Sequence, residues 1–152
     1  MKHEDWMRLA LKQAEKAYDI DDVPIGAVIV RKGEIISTAY NEKELSQDPT
    51  AHAEIVAIRR AAETLGHWRL TDCILYVTLE PCPMCAGAII QSRLKQLVYG
   101  ASDPKGGAVE SVMNVLNEKA WNHKVEVTAG ILEEECANLL KDYFKEKRNS
   151  KK

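Results

Sequence analysis

Apolar residues recur along the chain with two spacings, which predict helices and strands in turn. Steps of three and four positions predict a first amphipathic helix, with Met7, Ala10, Leu11, Ala14, Ala17 and Tyr18 on its apolar face. Residues 25–31 are apolar and β-branched, Lys32-Gly33 forms a turn, and residues 34–40 alternate loosely. This pattern predicts a β-hairpin after the first helix.

The rest of the chain continues the alternation. Residues 41–50 are polar and contain Asp48-Pro49, which is typical of a loop. Thr50 is a suitable N-cap for a helix over residues 51–65, which Gly66 would end. The later predictions are a strand over 74–79, a helix over 83–92, a strand over 97–99, a loop over 101–110, a short helix over 112–117, a strand over 125–128 and a helix over 133–147. Strands that alternate with helices predict an α/β fold with a central sheet.

The length of 152 residues fits one domain, and 45% hydrophobic with 29% charged residues is typical of a globular protein. We predict a single domain over residues 1–148 and a short disordered basic tail over 149–152. No apolar run approaches the ~20 residues that cross a bilayer. The N-terminus also lacks the pattern of a signal peptide, so we expect a cytoplasmic protein with no membrane partner.

Charge is unevenly distributed along the chain. The formal net charge is −2, but residues 141–152 carry a net +4, which leaves −6 on the remainder. A basic C-terminal segment on an acidic body can contact phosphates locally. A solvated helix end is an equally good interpretation.

Two short motifs carry candidate chemistry: His52-Ala53-Glu54 at a predicted helix start, and Pro81-Cys82-Pro83-Met84-Cys85 at the next one. Cysteines three apart in a first helical turn share one face, and a helix N-terminus favours their thiolate forms. An imidazole from His52 would add a third ligand. Three protein ligands on zinc leave one position for water, which is typical of a catalytic site.

Glu54 is the candidate proton carrier. Two thiolates already neutralise Zn²⁺, so such a metal should acidify its water less than one held by neutral histidines. Glu54 lies too close to His52 in sequence for both to bind the metal comfortably. We hypothesise that Glu54 takes a proton from the water, passes it to a ring nitrogen and later protonates the departing amine. The alternative is a structural zinc site without catalysis, closed by Cys73 or Cys136.

Nearly the whole chain resembles the tRNA adenosine deaminase branch of the cytidine/deoxycytidylate deaminase superfamily, whose zinc signature is H-x-E with P-C-x-x-C. The similar segments are residues 23–28, 41, 51–55, 68–70, 75–82, 84–88, 98–101, 103–107, 122–123 and 130–132. The cysteine motif is shared with guanine and cytosine deaminases. The loop at Asp103, the pair Asn122-His123 and the basic tail favour the tRNA branch.

The resemblance implies a three-layer α/β/α cytidine-deaminase-like fold with a central five-stranded mixed sheet, and a homodimer. It implies one Zn²⁺ per subunit on His52, Cys82 and Cys85. Its reaction is hydrolysis of adenosine to inosine at the wobble position of an arginine tRNA anticodon, with water activated by zinc attacking C6 and Glu54 as proton shuttle. The residues that it implies for substrate binding are Asn41, Pro24, Ile25, Val28, Asp103, Lys105, Phe144 and Arg148.

Several alternatives stay open at this stage. Asn41 could simply end a strand, Phe144 could belong to the core, and Lys105 could be solvated. Glu110 and the acidic loop over 42–50 fit an RNA surface poorly. For the whole chain, the alternatives are a deaminase of free guanine, cytosine or a nucleoside, and a non-enzymatic RNA-binding module stabilised by zinc.

Overall fold

A computed structural model describes residues 1–150 and shows an α/β fold. The helices are α1 His3–Asp19, α2 Lys43–Ser46, α3 Ala53–Leu65, α4 Pro83–Gln91 and α5 Glu133–Ser150, with a short 3₁₀ helix at Val115–Asn117. The strands are β1 Gly26–Arg31, β2 Glu34–Tyr40, β3 Cys73–Leu79, β4 Gln96–Ala101 and β5 Glu126–Thr128. Within residues 1–150, no helix combines the length and the apolar character that crossing a bilayer requires.

The five strands form one mixed sheet in the order β2-β1-β3-β4-β5. The β1–β2 hairpin is antiparallel, as is the β1–β3 pair, whereas β3–β4 and β4–β5 are parallel. Each parallel pair is joined by a crossover segment, and α4 provides the one between β3 and β4. The predicted five-stranded mixed sheet is confirmed.

Helices cover both faces of the sheet, which gives three layers. On one face, Ala57 of α3 and Ile89 of α4 pack with Leu75 and Leu97 of the sheet. On the other face, α1 and α5 pack against the sheet, and Met7 and Cys136 lie in that second core. Gly26 allows α1 to approach β1 closely, since a Cβ at this position would overlap the backbone of Ala10.

Three element boundaries differ from the prediction. Helix α3 begins at Ala53 with His52 as its N-cap residue, so the prediction of Thr50 as N-cap was wrong. Asp48 accepts hydrogen bonds from both the backbone N–H and the hydroxyl of Thr50, which fixes that residue in a turn. The helix predicted over 112–117 is reduced to the 3₁₀ helix, and a short helix, α2, lies in the predicted loop over 41–50.

The end of α5 also differs from the prediction. The helix continues to Ser150, so Asn149 is helical and not part of a disordered tail. Residues 151 and 152 of the predicted tail lie outside the described part of the chain.

Four of the strands begin or end along the same edge of the sheet. Gly26 pairs with Tyr40, and Leu79 pairs with Ala101, so the start of β1 and the ends of β2, β3 and β4 are neighbours. The segments that leave this edge are therefore brought together in space. In α/β sheets, such an edge at the carboxyl ends of parallel strands is a common place for a ligand site.

Candidate active site

A cavity of about 790 Å³ opens along this edge of the sheet. Its walls come from the segments that follow or precede the four strand ends, and from α5. The lining residues are Val23, Ile25, Asn41, Lys43, His52, Leu79, Ala101, Ser102, Asp103, Lys105, Ala137, Leu140, Lys141, Phe144, Lys147 and Arg148. Its volume is in the range that takes a small organic molecule or a single nucleotide unit.

The structure brings His52, Cys82 and Cys85 together at this cavity. Nδ1 of His52 lies 3.6 Å from Sγ of Cys82 and 3.6 Å from Sγ of Cys85. All three atoms lie within 4.8 Å of one another. Ligands arranged tetrahedrally at about 2.0–2.3 Å from a metal ion lie about 3.3–3.8 Å apart, so the cluster has the dimensions of a metal site.

Two helix starts create this cluster. His52 is the N-cap residue of α3, and Cys82 is the N-cap residue of α4, both with extended backbone conformations. Pro83 fits the first turn of α4, where its missing N–H costs nothing. Cys85 follows one turn later and is fully buried. The N-terminus of α4 therefore places partial positive charge near both sulfur atoms.

The two thiols have opposite proton affinities. A hydrogen bond from Cys85, together with one from His52, lowers the pKa of Cys82 to about 4 in spite of its burial. The pKa of Cys85 is raised, because its thiol donates to Cys82 and is buried. The hydrogen bond to Cys82 raises the pKa of His52. A lowered pKa at Cys82 favours its thiolate, the form in which a cysteine binds a metal ion.

Glu54 occupies the first turn of α3 directly behind this cluster. The side chain is buried, with 3% of the residue exposed, and burial raises its pKa to about 7. Its Oε1 has no hydrogen-bond partner among residues 1–150. A buried carboxylate oxygen without a partner is costly, so it indicates a group that a bound molecule completes.

Asn41 follows β2 and is almost completely buried at the cavity. Its Oδ1 accepts a hydrogen bond of 2.8 Å from the backbone N–H of Ala53, which is otherwise an unpaired donor at the start of α3. Asn41 Oδ1 thus caps the start of α3, and its amide N–H₂ remains as a donor for a ligand.

We expect Asn41→Ala to lower the free energy of unfolding by about 1–2 kcal/mol, because it leaves the Ala53 N–H without an acceptor. Urea denaturation would measure the change. Asn149→Ala on exposed helical surface is the matched control and should stay within about 0.5 kcal/mol of the unchanged protein. Equal stability of the two variants would contradict the capping role.

Glu80 organises one wall of the cavity, a role for which the sequence analysis did not single it out. It lies at the end of β3, is 2% exposed, and accepts hydrogen bonds from four backbone N–H groups and one hydroxyl of the loop over 103–111. Burial alone would raise the pKa of Glu80, but these donors outweigh it and lower the pKa to about 2. A Cβ at Gly107 would overlap this carboxylate. Glu80 thus shapes the loop that carries Asp103 and Lys105.

We expect Glu80→Gln to lower the free energy of unfolding by about 2–4 kcal/mol. One amide N–H₂ would then face backbone donors in place of an acceptor, and hydrogen bonds to a charged group contribute about 1.5–3 kcal/mol each. Chemical denaturation measures the loss, with Glu63→Gln on exposed α3 surface as the control. Similar stability of both variants would show that the loop does not depend on this carboxylate.

The structure separates the other predicted substrate residues into two groups. Ile25, Asp103, Lys105, Phe144 and Arg148 line the cavity. Phe144 is 44% exposed and packs edge-on against Tyr143, so it is not a core residue. Asp103 also has a local task, since its Oδ1 accepts from the backbone N–H groups of Lys105 and Gly106.

Pro24 and Val28 are buried and are not among the residues of this cavity wall, and their role in substrate binding stays a prediction. Pro24 is buried beneath it, and Val23 takes the place in the wall. Val28 packs in the core under α1, because side chains alternate between the two faces of β1.

The acidic residues that fitted an RNA surface poorly have partners within the protein. Glu110 accepts a hydrogen bond of 3.0 Å from the phenol of Tyr99. In the segment over 42–50, Asp48 lies 3.6 Å from Arg59, and Glu42 lies 4.0 Å from Arg60. Arg59 and Arg60 thus partly balance the charges of Asp48 and Glu42 before any ligand binds.

Comparison with known proteins defines the class of this site. A model of the MafB19-like deaminase family matches residues 1–148, so the chain belongs to a deaminase family. The tRNA-specific adenosine deaminase of Bacillus subtilis (strain 168) is 52% identical over 147 residues, which cover 97% of this chain and 91% of that protein. Within the deaminases, the chain belongs with the tRNA-specific adenosine deaminases.

Solved structures show the same relationship. One solved structure superposes on this chain with a TM-score of 0.87; it comes from biochemical and structural studies of A-to-I editing by tRNA:A34 deaminases at the wobble position of transfer RNA. The two sequences are 48% identical, and the superposition covers 90% of this chain and 99% of the other. A guanine deaminase from Nitrosomonas europaea has a TM-score of 0.81 at 26% identity, over 92% of this chain and 83% of that chain.

Proposed function

We propose that this protein hydrolyses adenosine to inosine at the wobble position of a tRNA anticodon, with an arginine tRNA as the substrate. The observation that carries the chemistry is the cluster of His52, Cys82 and Cys85 beside the buried, unpartnered carboxylate oxygen of Glu54. The names of the relatives support the substrate, because those at about half identity are tRNA-specific adenosine deaminases.

Zinc is the metal that we propose for the cluster. Two sulfurs and one imidazole are ligands that zinc prefers, and their separations suit tetrahedral coordination. Within the described part of the chain, His52, Cys82 and Cys85 form the only group of three or more His, Cys, Asp or Glu side chains close enough together to hold one metal ion. Zinc bound here would supply a Lewis acid that makes water a stronger nucleophile at neutral pH.

Glu54 would carry the protons of the reaction. Overall, water adds to C6 of adenine and the 6-amino group leaves as ammonia. The carboxylate of Glu54 would take a proton from the attacking water and deliver it to the ring nitrogen beside C6. It would then transfer the remaining hydroxyl proton to the departing amine, so that the carboxylate is restored. The burial of Glu54 keeps these protons from bulk solvent.

The cavity walls favour a nucleotide within an RNA chain. Phe144 offers an exposed aromatic surface for an unstacked base, and five of the lining residues are lysine or arginine. The free amide N–H₂ of Asn41 is a donor for an acceptor atom of the substrate. The alternative substrate, free guanine, carries no phosphate, so cations at the mouth of the cavity favour RNA over it.

The test is deamination of an anticodon stem-loop RNA, with zinc content measured on the same sample. We expect inosine at the wobble position and about one zinc per chain, and no turnover of free guanine, cytosine or cytidine. Turnover of guanine with none on the stem-loop would support the alternative enzyme. Absence of ammonia release from every nucleobase would support a non-enzymatic RNA-binding module.

We also propose that the enzyme is a homodimer that acts in the cytoplasm, where its tRNA substrate is processed. Support for the dimer is the exposure of Met84, Val112 and Met113, at 38%, 52% and 46%, near the start of α4 and the 3₁₀ helix. Light scattering after size exclusion should give twice the chain mass of 17.1 kDa. A mass of one chain at micromolar concentration would refute the dimer.

A further inference from the structure

The C-terminal half of α5, residues 141–150, is attached to the segment between α1 and β1. The phenol of Tyr143 donates to the main-chain carbonyl of Asp21, at 3.1 Å, with Oδ1 of the same residue as a second acceptor at 3.3 Å. Nζ of Lys147 donates to Oδ2 of Asp21, at 2.6 Å. The first half of α5 is held differently, because Cys136 is buried in the second core against the sheet.

The groups in this contact suit their roles at neutral pH. The hydrogen bond from Lys147 lowers the pKa of Asp21, so its carboxylate is charged. Burial raises the pKa of Tyr143 to about 12, so its phenol keeps the proton that it donates. The ion pair is exposed and contributes little by itself. Tyr143, in contrast, is 7% exposed, and its ring packs edge-on against Tyr18 of α1.

Helix geometry links this contact to the cavity. Tyr143 and Lys147 are four positions apart and therefore share one stripe of α5. Phe144 and Arg148, also four apart, form the neighbouring stripe and line the cavity. Because both stripes belong to one helix, a contact that fixes the first also fixes the direction in which the second points.

The anchor itself is tied to two further parts of the cavity wall. Asp21 has a φ of +62°, a conformation that aspartate tolerates, and is followed by the buried Asp22. The carboxylate of Asp22 accepts from the N–H of Val23, at 2.8 Å, and from the N–H of Glu44, at 3.2 Å. Val23 and Lys43, the neighbour of Glu44, both line the cavity. Three segments of the wall therefore meet at Asp21 and Asp22.

We propose that Asp21 is a positioning residue for substrate binding: through Tyr143 and Lys147 it holds residues 141–150 so that Phe144 and Arg148 face the cavity. The inference rests on the proposed RNA substrate. Asp21 is not among the lining residues, so its loss should weaken binding and leave the chemical step unchanged. A purely electrostatic role predicts the opposite sign, since removing an acidic charge and releasing Lys147 both favour a polyanion.

The first measurement does not involve RNA. Amide hydrogen exchange of the zinc-loaded protein is followed by mass spectrometry in Asp21→Ala and in Tyr143→Phe, which removes only the hydroxyl. We expect about three- to tenfold faster exchange over residues 141–150 and no change over 133–140. Asp21→Asn keeps an acceptor and tolerates the positive φ, so it should lie closer to the wild type than Asp21→Ala. Asp19→Ala, which removes an exposed charge nearby, is the control.

The second measurement is the kinetics of deamination of the anticodon stem-loop. For Asp21→Ala and Tyr143→Phe we expect KM to rise about two- to fivefold while kcat stays unchanged, because the lost contact acts on binding alone. Asp19→Ala reports the effect of removing an acidic charge from the same region, and its KM should equal that of the wild type or be lower.

Unchanged exchange over residues 141–150 in both Asp21→Ala and Tyr143→Phe would overturn the inference, because other contacts would then hold the helix. Faster exchange with a KM no higher than that of Asp19→Ala would overturn it too, since binding would not need the fixed helix. If the wild type does not deaminate the stem-loop, the proposed function fails. Exchange rates and the Kd for the fluorescent stem-loop then still decide whether Asp21 positions α5 for binding.

Discussion

Glu54→Gln is expected to lower the rate of deamination at saturating RNA by at least about 10²–10⁴-fold, while zinc stays bound. The magnitude follows from what one positioned acid and base contributes to a reaction. Glutamine keeps the size of the side chain but can neither take nor deliver the protons. Glu54 is not one of the three candidate ligands His52, Cys82 and Cys85, so metal content should remain near one per chain.

The measurement combines single-turnover formation of inosine with zinc determined by mass spectrometry. Glu63→Gln, on the exposed part of the same helix, serves as the control and should behave like the wild type. Loss of zinc in Glu54→Gln together with retained activity would show that Glu54 is a ligand and not the proton carrier. An active, zinc-loaded Glu54→Gln enzyme would show that another group moves the protons.

Cys82→Ala should give the second large effect, with zinc falling from about one per chain to almost none and deamination falling to the uncatalysed background. Two remaining ligands cannot hold a metal in the tetrahedral geometry that three hold. The sheet and both helix layers do not depend on this side chain, so the far-UV circular dichroism should change little. Metal analysis and the stem-loop assay on the same preparation test the prediction.

The control is Cys73→Ala, which removes a buried sulfur at the start of β3. Neither Cys73 nor Cys136 lies in the ligand cluster, so both should be dispensable for zinc. Retained zinc and activity in Cys73→Ala would exclude Cys73 as a fourth ligand, and the same result in Cys136→Ala would exclude Cys136. If zinc were lost from Cys73→Ala as well, Cys73 would have to be counted as a ligand.

Most of the fold could be predicted because, in long segments of the chain, apolar residues recur with the spacing of either a helix or a strand. The hairpin, the buried strand over 74–79 and the helix from Pro83 are confirmed with boundaries that differ by one or two residues. The start of α3 could not be predicted, because two distant or irregular contacts determine it. Asn41 supplies the acceptor for the Ala53 N–H from twelve positions away, and Asp48 holds Thr50 in a turn.

The metal cluster and Glu54 could be located from motifs because their chemistry requires particular side chains at short spacings. Their role stays a prediction, although the structure places them together. The cavity wall was harder to predict. Strand β1 is buried on both faces, so no alternation of polar and apolar residues shows which side Val28 faces. Glu80 gave only a weak signal, a single carboxylate at the end of an apolar strand, because its donors come from a loop 23–31 positions later.

Two kinds of chain segment build the site at this edge of the sheet: one carries the candidate metal ligands, and the other forms the mouth of the cavity. The sulfurs and the imidazole come from helix starts anchored in the core, whereas the mouth of the cavity is formed mainly by turns after strands and by α5. Turns tolerate replacement far better than packed helix starts. Enzymes built on this scaffold can therefore diverge in what they accept while keeping one hydrolytic reaction, in line with a guanine deaminase that shares the fold at 26% identity.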